Sequence, residues 1–199
     1  MKKEIMYVGC FTDIDRAGLG KGGIGVFEKD DNGTWVNIQI MEQVNPSYLC
    51  FNENKTNLYA IQGAGYQMHS YAIDKETGKL TYLNSCEGLP SNFRQVVRGQ
   101  LYVSGREVEI YNLNDDGSFK ERAISYLPDA TIGPLKPKQH SINPHQIMFD
   151  PKQKYFTLVN HGADCLTVHE YIKETNEVKT ISKMPVLEAM MPRHIAFHK

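Results

Sequence analysis

One turn pattern recurs four times along this sequence, and it restricts the fold more than any other feature. An apolar strand enters an acidic turn, a Gly or Asn follows where a positive φ is required, and a second strand leaves. The copies read Val26-Phe27-Glu28-Lys29-Asp30-Asp31-Asn32-Gly33, then Tyr71-Ala72-Ile73-Asp74-Lys75-Glu76-Thr77-Gly78. The third is Tyr111-Asn112-Leu113-Asn114-Asp115-Asp116-Gly117, and the fourth is Tyr171-Ile172-Lys173-Glu174-Thr175-Asn176. Around them, short segments alternate apolar and polar residues, the period of a half-buried strand, and long amphipathic helical patterns are missing.

A second pattern lies between these hairpins. Pro46-Ser47-Tyr48-Leu49-Cys50-Phe51, Pro90-Ser91-Asn92-Phe93, Pro144-His145-Gln146-Ile147-Met148-Phe149 and Pro192-Arg193-His194-Ile195-Ala196-Phe197 each open a strand. The proline spacings are 44, 54 and 48 residues. Blades of four strands repeat every ~40–50 residues, so the chain reads as an all-β propeller of about four antiparallel four-stranded blades. The long spacing is explained by a Pro- and Gly-rich loop over 128–140. The expected units of a single domain, 1–199, are 5–45, 46–89, 90–143 and 144–191, with a final strand in 192–199. The chain then opens on a second strand at 7–11 and finishes on a first strand at 195–197. Pairing of these two would close a small ring; without it the blades are an open fragment of a larger ring whose edges invite self-association.

The 199 residues carry 22 basic and 23 acidic side chains, a net charge of -1. That balance gives no electrostatic reason to expect nucleic acid or a membrane as partner. The basic start, Met1-Lys2-Lys3, lacks the apolar stretch of a signal peptide, because Glu4, Gly9, Thr12 and Asp13 interrupt it. A cytoplasmic protein with reduced, mostly buried thiols at Cys10, Cys50, Cys86 and Cys165 is the expectation. Gly18-Leu19-Gly20-Lys21-Gly22-Gly23 matches G-x-G-x-x-G formally, but a strand follows where the dinucleotide motif needs a helix, so a loop is expected. Seven histidines without an HExxH, CxxC or His-x-His pattern argue against a protein-ligated metal or other cofactor. Asn160-His161-Gly162-Ala163-Asp164 reads as a turn stabilised by its aspartate, and the tyrosines and Trp35 read as core and inter-blade packing.

Tyr7-Val8-Gly9-Cys10-Phe11-Thr12, followed by Gly23-Ile24-Gly25-Val26-Phe27, resembles the opening of the lactonase-type seven-bladed propellers, which include 6-phosphogluconolactonases and carboxymuconate-lactonizing enzymes. Pro144-His145-Gln146-Ile147-Met148-Phe149-Asp150-Pro151 is similar to a central strand of that family, and Pro192-Arg193-His194-Ile195-Ala196-Phe197-His198 to its Pro-Arg-His segment. The resemblance implies a small-molecule lactone or organic acid as partner and places His145 and Arg193 at the family's central site.

The residues point the same way. Ring opening of a lactone needs an activated water, a donor for the developing oxyanion and an anchor for charged groups. His145 suits a general base near neutral pH, and Arg193 suits an oxyanion, carboxylate or phosphate. Both stand at the start of a first strand, one blade apart, so they are the candidate catalytic residues. His194 and His140 are the candidate substrate-binding residues, with His194 expected on the opposite strand face from Arg193. The leading expectation is a sugar-lactone hydrolase of the 6-phosphogluconolactonase type. The alternatives are a non-catalytic scaffold or incomplete copy of the enzyme, and a cyclase acting on muconate-type diacids.

Overall fold

A computed structural model describes residues 3–13, 21–63 and 65–198. The described residues form fifteen β-strands and no helix. They build four antiparallel sheets, each a simple meander. β1 (Ile5–Gly9), β2 (Gly23–Lys29) and β3 (Trp35–Glu42) make a three-stranded sheet. β4 (Pro46–Phe51), β5 (Asn57–Gln62), β6 (Gln67–Ile73) and β7 (Leu80–Glu87) make the second. β8 (Ser91–Val97), β9 (Gln100–Gly105), β10 (Val108–Leu113) and β11 (Phe119–Tyr126) make the third. β12 (Pro144–Phe149), β13 (Phe156–Asn160), β14 (Cys165–Ile172) and β15 (Glu177–Pro185) make the fourth.

Burial follows strand order. The second strand of each four-stranded sheet is almost wholly buried, as in β9 and β13, whereas the last strand is largely exposed, as in β15. All four acidic turns carry the expected positive φ, at Gly33, Gly78, Gly117 and Asn176. In the first three an aspartate, Asp30, Asp74 or Asp116, accepts turn N–H groups; Asp74 Oδ1 receives those of Glu76 and Thr77 at 3.1 and 2.7 Å.

Two compact units result, residues 1–88 with 113–119, and residues 89–112 with 120–199. The first is centred on Ile24, Val26, Leu58, Ala60, Tyr71 and Leu80. The second is centred on Tyr102, Ile110, Ile147, Phe149, Phe156 and Leu158, where the Tyr102 ring meets Phe149 edge-on at 4.7 Å.

Several expectations need correction. Residues 192–198 are not a strand. β1 finds its ladder partner in β2, while the tail is held through a side chain, the Ile195 N–H donating to Gln146 Oε1 at 2.6 Å. Without a ladder it has no extended pleat. The third blade is registered on Ser91 rather than Pro90, since Ser91 pairs with Gly105 just as Pro46 pairs with Gln62 and Pro144 with Asn160. Of the four cysteines only Cys165 is buried; Cys50 and Cys86 are half-buried and Cys10 is exposed. Trp35 is exposed, with the Lys29 ammonium 5.9 Å from its ring centre, because it starts an outer strand. Residues 14–20, including Gly18 to Gly20, lie outside the described residues. Gly22 and Gly23 lead directly into β2, which fits a loop and not a dinucleotide-binding helix.

Candidate active site

β12 begins with a proline, which can open a strand because it needs no ladder N–H there. The ladder with β13 then slips by one residue between Pro144 and Gln146, leaving His145 as the extra residue of a β-bulge. A bulge frees its side chain from strict face alternation and re-aims it. The same slip occurs at Ser47 in β4 and Asn92 in β8. The first strand of each four-stranded sheet therefore presents one re-aimed side chain at its start. Asn92 donates from Nδ2 to Asn143 Oδ1 at 3.0 Å, beside the entry to β12.

Arg193 reaches His145. Its Nε and Nη2 lie 3.2 and 2.9 Å from His145 Nε2. A guanidinium only donates, so Nε2 must be the accepting nitrogen and the hydrogen of the neutral ring sits on Nδ1, which is buried and has no protein partner among the described residues. Two more rings complete the cluster. His194 stands edge-on to His145 at 5.1 Å, and His161, from the turn after β13, lies 6.0 Å away. Burial, followed by the positive charge of Arg193 and then the neighbouring histidines, lowers the pKa of His145 to about 4. His161 is lowered too, first by burial and then by Arg193.

The expected pair, His145 and Arg193, is thus brought together. His194 joins it, contrary to the expectation that it faces away. Alternation governs strands, and this segment is not one. His140 does not join the cluster. It lies exposed in the long loop, its Nδ1 3.1 Å from the Pro137 carbonyl oxygen. His161 and Asn92 were not singled out from the sequence. His161 was hidden in a turn motif, while Asn92 would have emerged by aligning the blades on their bulge instead of on Pro90. Among the described residues no group of three His, Cys, Asp or Glu is placed to hold a metal ion.

The segment that carries Arg193 is anchored on both sides. Before it, the buried Asp164 accepts the N–H groups of Ala189 and Met191, each at 2.8 Å. After it stands the bond from Ile195 to Gln146. The long loop is tied to the turn that carries His161. Gln139, fully buried, donates to the His161 carbonyl at 3.3 Å and accepts the Leu135 N–H at 2.9 Å, and the Gly133 N–H reaches the Gly162 carbonyl at 2.9 Å.

Antiparallel four-stranded meanders repeating in sequence, each with its first strand bulged at the entry, are the blades of a β-propeller. The family can be stated more closely. The model of the lactonase seven-bladed β-propeller family matches residues 5–199, and the chain belongs to that family. A 6-phosphogluconolactonase of Bacillus subtilis (strain 168) is 30% identical over 210 residues, spanning all of this chain and 57% of the relative. Among solved structures, a periplasmic gluconolactonase of Pseudomonas aeruginosa superposes with a TM-score of 0.81 at 21% identity, over 98% of this chain and 58% of that one. A provisionally assigned 6-phosphogluconolactonase of Bacteroides fragilis gives 0.83 at 20% identity, over 100% and 59%. At these identities the structural likeness speaks for the fold. The chain therefore spans a little under three fifths of the relatives' length.

Proposed function

We propose that the chain carries the site of a sugar-lactone hydrolase of the 6-phosphogluconolactonase type. The observation that carries this reading is the seating of Arg193 on His145 Nε2, at 2.9 and 3.2 Å, beside His161 and His194. Without substrate the lone pair of the base is occupied. A lactone bearing an anionic group competes for the guanidinium and draws it off Nε2. The same negative charge offsets the field that depresses the imidazole, moving its pKa toward the range where a general base is effective.

Nε2 takes a proton from water as the water oxygen bonds to the lactone carbonyl carbon. Arg193 donates to the anionic group or to the developing oxyanion. The tetrahedral intermediate collapses, the bond from carbonyl carbon to ring oxygen breaks, and the imidazolium returns its proton to the ring oxygen. The product is the open hydroxy acid. A muconate-type diacid would use the same arginine on a carboxylate, with ring closure in place of opening.

The direct test is hydrolysis of 6-phosphogluconolactone by the purified chain. Turnover above the buffer rate, lowered ~100-fold or more by His145→Ala, is the expected result. A wild-type rate equal to buffer, unchanged in the variant, overturns the reading. It would favour instead the non-catalytic scaffold or incomplete copy, whose support is that the chain spans 57% of its Bacillus relative.

A further inference from the structure

The turn 160–164 first reads as a local structural feature. Its aspartate does something else. The Asp164 carboxylate is turned toward a distant stretch of chain, 25 and 27 residues further on, where its two oxygens each take one backbone N–H. Its own carbonyl oxygen accepts the Val186 N–H at 2.9 Å, so the turn holds this stretch at three points. The stretch is unusual. Ala189 and Met191 have φ of +61° and +51°, left-handed values that side chains other than glycine seldom adopt. These are the same two residues whose N–H groups converge on Asp164. A carboxylate that accepts both offsets the strain of a backbone that local preference would not choose. Two residues later comes Arg193.

We propose that Asp164 is a positioning residue for the site. By accepting the N–H groups of Ala189 and Met191 it holds the backbone in the left-handed conformation that delivers Arg193 to His145. The proposal rests on the lactone-hydrolase reading for its catalytic consequence, but the geometric claim stands apart from it. A second anchor, Ile195 to Gln146, fixes the far side, so Arg193 is presented from a loop pinned at both ends. The hydrogen bonds to Asp164, from Gln139 as well as from Ala189 and Met191, outweigh its burial and lower its pKa, consistent with an ionised carboxylate at neutral pH.

The test is Asp164→Asn in the full chain, read by NMR titration of His145. The charged and titratable groups facing His145 are Arg193, His194 and His161. With the clamp weakened, Arg193 leaves and the His145 midpoint rises from about 4 by roughly one unit or more. Asp150→Asn is the matched control. Asp150 also accepts backbone N–H groups, from Lys152, Lys154 and Tyr155, but it caps the turn after β12 at the other end of that strand. It should lower stability and leave the His145 midpoint in place. In wild-type protein the Ala189 and Met191 amides should exchange slowly despite lying outside any strand. If Asp164→Asn folds with the His145 midpoint unmoved, or if both amides exchange as freely as an open loop, the proposal is overturned. With an active wild type, kcat/KM in Asp164→Asn should drop about tenfold or more. An inactive wild type refutes the hydrolase reading alone, since titration and exchange still decide the positioning claim.

Discussion

At His145 the two ring nitrogens meet different surroundings, and kinetics can read the difference. Nε2 faces Arg193 and Nδ1 is enclosed, which leaves Nε2 as the only nitrogen able to take a proton from water. A base must be neutral to act, so activity rises with pH through its pKa. For kcat/KM, which reports free enzyme, the limb should lie near pH 4. For kcat, which reports the complex, it should lie higher, because a bound anion removes part of the depression that Arg193 causes. Profiles of both over pH 3.5–7 check this, and coincident limbs would contradict a guanidinium drawn off by substrate. Arg193→Lys should retain weak binding and lose at least ~10-fold in kcat/KM, since a compact ammonium cannot reproduce the fork of two donors. The pair itself was legible in the sequence, because both residues follow a repeat proline. The orientation of His194 was not, because it depended on whether 192–198 would be a strand.

The strand elements were legible for a physical reason. Alternation and turn chemistry are local, and Gly33, Gly78, Gly117 and Asn176 announce their hairpins without reference to the rest of the chain. The bulges at Ser47, Asn92 and His145 are set by pairing with the neighbouring strand, so no single segment contains the information, and Pro90 stood in wrongly for Ser91. Ladder ends also create steric demands that the sequence does not advertise. At Gly105 an added Cβ would sit 2.4 Å from the Pro90 carbonyl oxygen, and at Gly162 it would sit 1.9 Å from that of Ser141. Both obstacles are backbone and cannot swing aside. Gly105→Ala and Gly162→Ala should each cost roughly 2 kcal/mol or more, a fall of about 4–8 °C in Tm for a chain of this size. Only Gly162→Ala should also disturb the His145 titration, because the Gly162 turn carries His161 and Asp164. Equal effects of the two variants on that titration would argue against the site geometry.

At the scale of the molecule, acid should unfold this protein early. His169 is fully buried between Thr167 and Thr180, stacked on Phe156 at 5.3 Å, and burial lowers its pKa to about 4. The unfolded value is ~6.5. A neutral form favoured by the fold contributes fully above pH 6.5, and that contribution is lost as pH falls from there toward 4, by about 3 kcal/mol in all. His145 adds to the same slope. Denaturant midpoints measured across this window should fall steeply in wild type and less steeply in His169→Gln; parallel curves would refute the assignment. The blade repeat made the large-scale architecture visible from sequence, whereas the long loop read only as a Pro- and Gly-rich insertion between blades. Its Gln139 shows otherwise. A wholly buried polar side chain that donates to the His161 carbonyl makes residues 133–139 part of the support of that turn. For anyone wishing to splice a fluorescent reporter or an affinity handle into this protein, the stretch that looks most permissive by composition is therefore the wrong address. The exposed tip at Asp31-Asn32, whose turn is closed by Asp30 alone, is the better one.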